Sequence, residues 1–94
     1  MPALPDEEIE RKLTEIGGWR RGEGSEIVRE LHLADFAAAI AFVNRVAELA
    51  EAANHHPDIL VHGWNNVRLT LSTHSEGGLT NADFRLASQI DGLS

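Results

Sequence analysis

The twenty residues from Ala34 to Ala53 contain neither glycine nor proline and are rich in alanine. Such a run predicts a long helix, because alanine has the highest intrinsic helix propensity and nothing interrupts the hydrogen-bond ladder. Asp35 suits the N-cap. Phe36, Ile40, Val43, Ala47 and Ala50 form one apolar stripe, and Phe42, Val46 and Leu49 form another. Asn44, Glu48 and Glu51 mark the polar strip. Two apolar stripes fit either one wide core face or a second face covered by a partner subunit, with Phe42, Val46 and Leu49 as candidate contacts.

On each side of this helix the pattern changes to short extended runs. Trp19 to Arg21 and Glu26 to Leu33 flank Gly22, Glu23, Gly24 and Ser25, which reads as a hairpin. Ile27, Leu31 and Leu33 share a face there, and Arg29 breaks the alternation. Ile59 to Trp64 and Asn66 to His74 read as two more strands, with Val67, Leu69 and Leu71 alternating against Arg68, Thr70 and Ser72. Ile9, Leu13 and Ile16 recur at helical spacing after Pro5 and the acidic Asp6, Glu7 and Glu8, and Gly17 and Gly18 end that segment. Thr80 with Asp83 three residues on resembles a capping box and opens a last helix carrying Leu86, Ile90 and Leu93. The order α-β-β-α-β-β-α, with strands joined locally in pairs, predicts an antiparallel sheet with helices packed on it, an α+β fold spanning residues 1–94 as one domain.

Composition removes several function classes. The formal charge is −7, from 15 acidic and 8 basic side chains, and no basic cluster stands apart from acidic neighbours. Direct nucleic-acid binding is not expected of such a surface. The chain has no cysteine, which excludes disulfides, thiolate metal sites and cysteine nucleophiles. No stretch approaches the roughly 18 apolar residues of a membrane span. The first residues show neither a basic segment nor an apolar one of the secretory kind. A soluble cytoplasmic protein is the expectation.

Three of the five histidines stand at element ends. His55 and His56 precede Pro57 after the long helix, and His74 closes the last strand before Ser75, Glu76 and two glycines. Imidazole has an ordinary pKa of about 6.5, so it gives and takes protons near neutrality. Taken singly, each residue has a structural explanation. Histidine at a helix C-terminus complements the dipole, proline after a helix is a stop signal, and Asp83 is an ordinary cap. His32 and His62 fall in strand alternation and are not expected to do chemistry. Adjacent histidines in an extended segment point to opposite sides, and no H-E-x-x-H spacing is present, so no metal site is expected. There is no nucleophile elbow, P-loop or dinucleotide-binding glycine motif.

The combination is more specific than its parts. Three residues separate Glu51 from His55-His56-Pro57; six residues then lead to Trp64, nine to His74 and eight to Asp83. This spacing resembles the signature of the pterin-4a-carbinolamine dehydratases. The resemblance implies a four-stranded antiparallel sheet with three helices on one face, and assembly as a homodimer or homotetramer. It implies dehydration of 4a-hydroxytetrahydropterins to quinonoid dihydropterins in tetrahydropterin recycling, with the pterin as substrate and no cofactor. By the same resemblance His55, His56 and His74 would carry proton transfer. Glu51, one helical turn before His55, would orient it. Thr73, Ser75 and Glu76 would hold the pterin ring, Pro57 would belong to the binding loop, Trp64 would wall the pocket, and Asp83 would support the site or cap its helix. Relatives with this fold also act as a dimerisation cofactor for a transcription factor and as assembly factors for a carbon-fixing enzyme, so a non-enzymatic binding role is the alternative.

Overall fold

The structure, a computed structural model, describes residues 2–93. Helix α1 (Asp6–Leu13) leads to strands β1 (Trp19–Arg21) and β2 (Ile27–His32). Helix α2 (Phe36–Ala53) follows, then β3 (Asp58–His62), β4 (Asn66–Leu71) and α3 (Asn81–Asp91). The strands form one antiparallel sheet in the order β1-β2-β4-β3. The α+β order read from the sequence is the one observed.

Register explains which side chains reach the core. Ile27 lies opposite Leu71, Arg29 opposite Leu69, and Leu31 opposite Val67. Across the other seam Ile59 faces Leu69 and Val61 faces Val67. Side chains alternate between faces of a strand, so all of these point the same way. The apolar ones meet Ile9 of α1, Ala39, Phe42, Val46 and Ala50 of α2, and Phe84, Leu86, Ala87 and Ile90 of α3 in one cluster. The three helices therefore cover one face of the sheet. Burial of each large aliphatic or aromatic side chain stabilises this layer by about 1.5–3 kcal/mol. The other face is charged: Arg20 and Arg68 both reach Glu30, and the Arg20 hydrogen bond holds the Glu30 carboxyl below the usual carboxylate range.

Several sequence expectations shift in detail. The core face of α2 is Ala39, Phe42, Val46 and Ala50, so Phe42 and Val46 are not available to a partner. The residues left outside are Phe36 and Ile40, 55% and 37% exposed. Helix α1 stops at Leu13, short of its glycines, because Thr14 turns back and its hydroxyl donates to the Arg11 carbonyl. Gly18, at φ +81°, serves the turn into β1 instead. Strand β4 ends at Leu71, and His74–Glu76 form a single 3₁₀ turn. Strand β3 ends at His62, which leaves Trp64 in the β3–β4 turn at φ +62°, a left-handed conformation unusual for a bulky residue. Among the described residues no helix is long and apolar enough to cross a membrane.

Arg29, the break in the β2 pattern, proves to face inward. It pairs with Asp91 at the end of α3, and the same carboxylate oxygen accepts the Trp19 indole N–H at 2.8 Å. Trp19 is buried, so its N–H needs this acceptor. One carboxylate thus ties β1, β2 and α3 together. Asp91→Ala should lower unfolding free energy in urea by about 1–3 kcal/mol, because it strands both donors. Asp91→Asn, which keeps an acceptor for Trp19, should cost less.

Candidate functional site

Helix α2 ends in a way that aims the first histidine. Asn54 takes the left-handed conformation at φ 50°, and its N–H together with that of His55 closes onto the Ala50 carbonyl. Asparagine tolerates this geometry better than most residues. The reversal carries His55 towards α3, where its Nε2 lies 2.5 Å from Oδ1 of Asp83. The histidine side chain is 15% exposed and the aspartate is fully buried.

The Asp83 carboxylate is held on its other side as well. Its Oδ2 accepts the Thr73 hydroxyl at 2.7 Å and the Thr80 backbone N–H at 3.0 Å. The latter bond is half of the capping box that starts α3; the Thr80 side chain supplies the other half. The Thr73 and Thr80 hydroxyls are 2.9 Å apart. Thr73 is further fixed by paired backbone bonds with Gly78. Between them runs the 3₁₀ turn of His74, Ser75 and Glu76, closed by Gly77 at φ +70°.

His56 looks the other way and is exposed. Its Nε2 lies 2.5 Å from Oε2 of Glu51, on side chains that are 56% and 76% exposed. The pairing differs from the sequence expectation: Glu51 orients His56, and Asp83 orients His55. The physical reason is the left-handed turn at Asn54, which rotates His55 away from the last turn of α2. Asp83 also exceeds its expected role, since one carboxylate both caps a helix and holds an imidazole.

These contacts gather most of the residues singled out by sequence. His55, Asp83 and Thr73 are joined directly. His56, Glu51 and Pro57 flank His55, and His74, Ser75 and Glu76 flank Thr73. Trp64 is not brought to them, because it sits at the opposite end of the β3–β4 ladder and is 61% exposed. His32 and His62 lie at that far end too, both aligned with Asn66. Thr80 was legible only as a cap, and its hydroxyl contact with Thr73 had no separate signal in the sequence.

Chemically, the arrangement can position a proton acceptor. A carboxylate only accepts hydrogen bonds, so a neutral His55 places its proton on Nε2 and keeps a lone pair on Nδ1. Among the described residues no group of three histidine, aspartate or glutamate side chains is placed to hold a metal ion. A groove of about 480 Å³ runs between α1 and α3, with Lys12, Ile16, Asn81, Phe84 and Arg85 in its lining, and none of the histidines borders it. The candidate site is therefore assigned on its hydrogen-bonded chemistry rather than on concavity.

Sequence and fold comparisons lead to the same family. The family model described as pterin 4 alpha carbinolamine dehydratase matches residues 2–93, and the chain belongs to that family. A protein of Roseiflexus castenholzii is 56% identical over 94% of this chain and 92% of its own, and one of Chloroflexus aurantiacus is 55% identical over 97% and 96%. Both are named, provisionally, pterin-4-alpha-carbinolamine dehydratase. The solved structure of a transcriptional coactivator/pterin dehydratase from Brucella melitensis superposes with a TM-score of 0.91, at 32% identity over 97% of both chains. A pterin dehydratase-like protein described as a RuBisCO assembly factor in the alpha-carboxysome gives 0.67, at 27% identity over 81% of this chain and 88% of its own.

The two histidine pairs should differ sharply in their effect on stability. Asp83→Ala should cost about 2–4 kcal/mol in chemical denaturation, since it removes a cap and leaves buried donors unpaired. Glu51→Ala should change stability by less than about 0.5 kcal/mol, as expected for a solvent-exposed pair.

Proposed function

We propose that this protein dehydrates a 4a-hydroxytetrahydropterin to the quinonoid dihydropterin, with histidines moving the protons. The observation that carries the reading is the His55–Asp83 contact, a titratable imidazole oriented by a buried carboxylate at the edge of the sheet. In this reaction the C4a–O bond breaks and the ring nitrogen beside it loses its proton as the C=N bond forms. The nitrogen lone pair expels the oxygen, which leaves as water once it is protonated. One base and one acid are needed. His55 accepts the ring-nitrogen proton on Nδ1, and His56 or His74 delivers a proton to the leaving oxygen. Backbone groups of Thr73 to Glu76 hold the pterin ring. Trp64 of the same chain takes no part, given its distance along the ladder.

The family membership supports the substrate class, and the presence of His55, His56 and His74 supports an enzyme. The RuBisCO assembly factor among the structural relatives, together with the exposed Phe36 and Ile40 on α2, supports a second reading in which the chain binds a protein partner. Self-association as a dimer or tetramer would cover those side chains and belongs to the same proposal. A cytoplasmic site of action belongs to the same proposal, with a tetrahydropterin-dependent oxygenation to supply the substrate.

Stopped-flow dehydration of a 4a-hydroxytetrahydropterin tests the first reading. The wild type should accelerate loss of water well beyond the spontaneous rate. His55→Gln keeps an N–H for Asp83 but cannot take the proton, and should lower turnover by about 10² or more; His56→Ala should lower it too. Wild-type turnover in the double variant would sink the mechanism. Light scattering after size exclusion tests assembly: a multiple of 10.3 kDa is expected, and a monomer would remove the oligomer from the proposal.

A further inference from the structure

The hydroxyl of Thr73 has one proton to give and two oxygen neighbours, Oδ2 of Asp83 at 2.7 Å and Oγ1 of Thr80 at 2.9 Å. Proton counting settles its direction. An aspartate carboxylate has none to offer, so Thr73 donates to Asp83. The Thr80 hydroxyl must then donate to Thr73. Its lone pairs remain free to accept, and they take the Ala82 backbone N–H at 3.2 Å. The result is a directed chain: Thr80 donates to Thr73, Thr73 donates to Asp83, and Asp83 accepts the Nε2–H of His55. Asp83 and Thr80 are fully buried, so water cannot easily replace a missing member. A buried acceptor that loses a donor re-orients or becomes unsatisfied.

We propose that Thr73 is a positioning residue for His55. Its hydroxyl, aligned by Thr80, fixes the Asp83 carboxylate so that Oδ1 faces Nε2 and the imidazole is held in one tautomer. The cap of α3 and the proton acceptor therefore share one hydrogen-bonded chain. Thr73 carries this role through its side chain, separately from the pterin contacts assigned to its backbone. The inference rests on the dehydratase reading for its kinetic consequence, but not for its structural one.

Thr73→Val removes the hydroxyl at nearly constant volume, and Thr73→Ser restores it. The backbone pairing with Gly78 is independent of the side chain, and Thr73→Ala gives a second hydroxyl-free variant should the valine not fold. Nitrogen-15 NMR of the His55 ring should show the single Nε2–H tautomer in wild type and serine, and a mixture in valine or alanine. With a 4a-hydroxytetrahydropterin, kcat should fall about tenfold or more without the hydroxyl, with KM within about twofold, and serine should recover most of it. An unchanged tautomer in the hydroxyl-free variants, or failure of serine to restore it, would overturn the proposal. A tautomer that responds as expected in a protein with no dehydratase turnover would uphold the positioning role and overturn the functional reading instead.

Discussion

A fully buried aspartate is the point on which this small structure turns. Asp83 accepts from His55, from Thr73 and from the backbone of Thr80. An unpaired charge in that position would cost several kcal/mol, so its donors have to come to it. They arrive from three parts of the chain: the turn after α2, the end of the β4 segment, and the first turn of α3. Satisfying one carboxylate therefore brings together the segments that carry His55, His74 and the cap of the last helix. The rest of the fold makes that meeting possible. The inner face of the sheet packs all three helices into one core, and α2 crosses it with its C-terminus beside α3.

Asp91 repeats the device at the other end of α3. It gathers Trp19 and Arg29 as Asp83 gathers Thr73 and His55. Both ends of one eleven-residue helix are thus fastened by a carboxylate that reaches across the fold. For a chain of 94 residues, whose apolar core is necessarily modest, such polar ties supply uniqueness that packing alone gives weakly.

Much of this was legible in the residues, and what was not has physical causes. The glycine-free run of α2, the alternation of Val67, Leu69 and Leu71, and the Thr80–Asp83 spacing are local signals, and each formed the element it announced. The spacing of His55, His56, His74 and Asp83 pointed to the family whose model matches the chain. Pairing was harder, because Glu51 is near both histidines in sequence and only the left-handed turn at Asn54 decides that His56 takes it. Arg29 looked like an error in a strand until Asp91, sixty-two residues away, supplied its partner. The face of α2 that enters the core depended on how the helix rolls against the sheet, which two apolar stripes left open. Trp64 fell outside the gathered site because the β3–β4 turn that carries it lies at the far end of the ladder from His55 and Thr73.

The central claim is that Asp83 presents the Nδ1 lone pair of His55 to a pterin. The most direct measurement is a crystal structure with a dihydropterin product bound. The account predicts the ring nitrogen beside C4a within hydrogen-bond reach of Nδ1, about 2.6–3.2 Å, with Nε2 still on Asp83. A pterin seated away from His55, for example in the groove between α1 and α3, would contradict it.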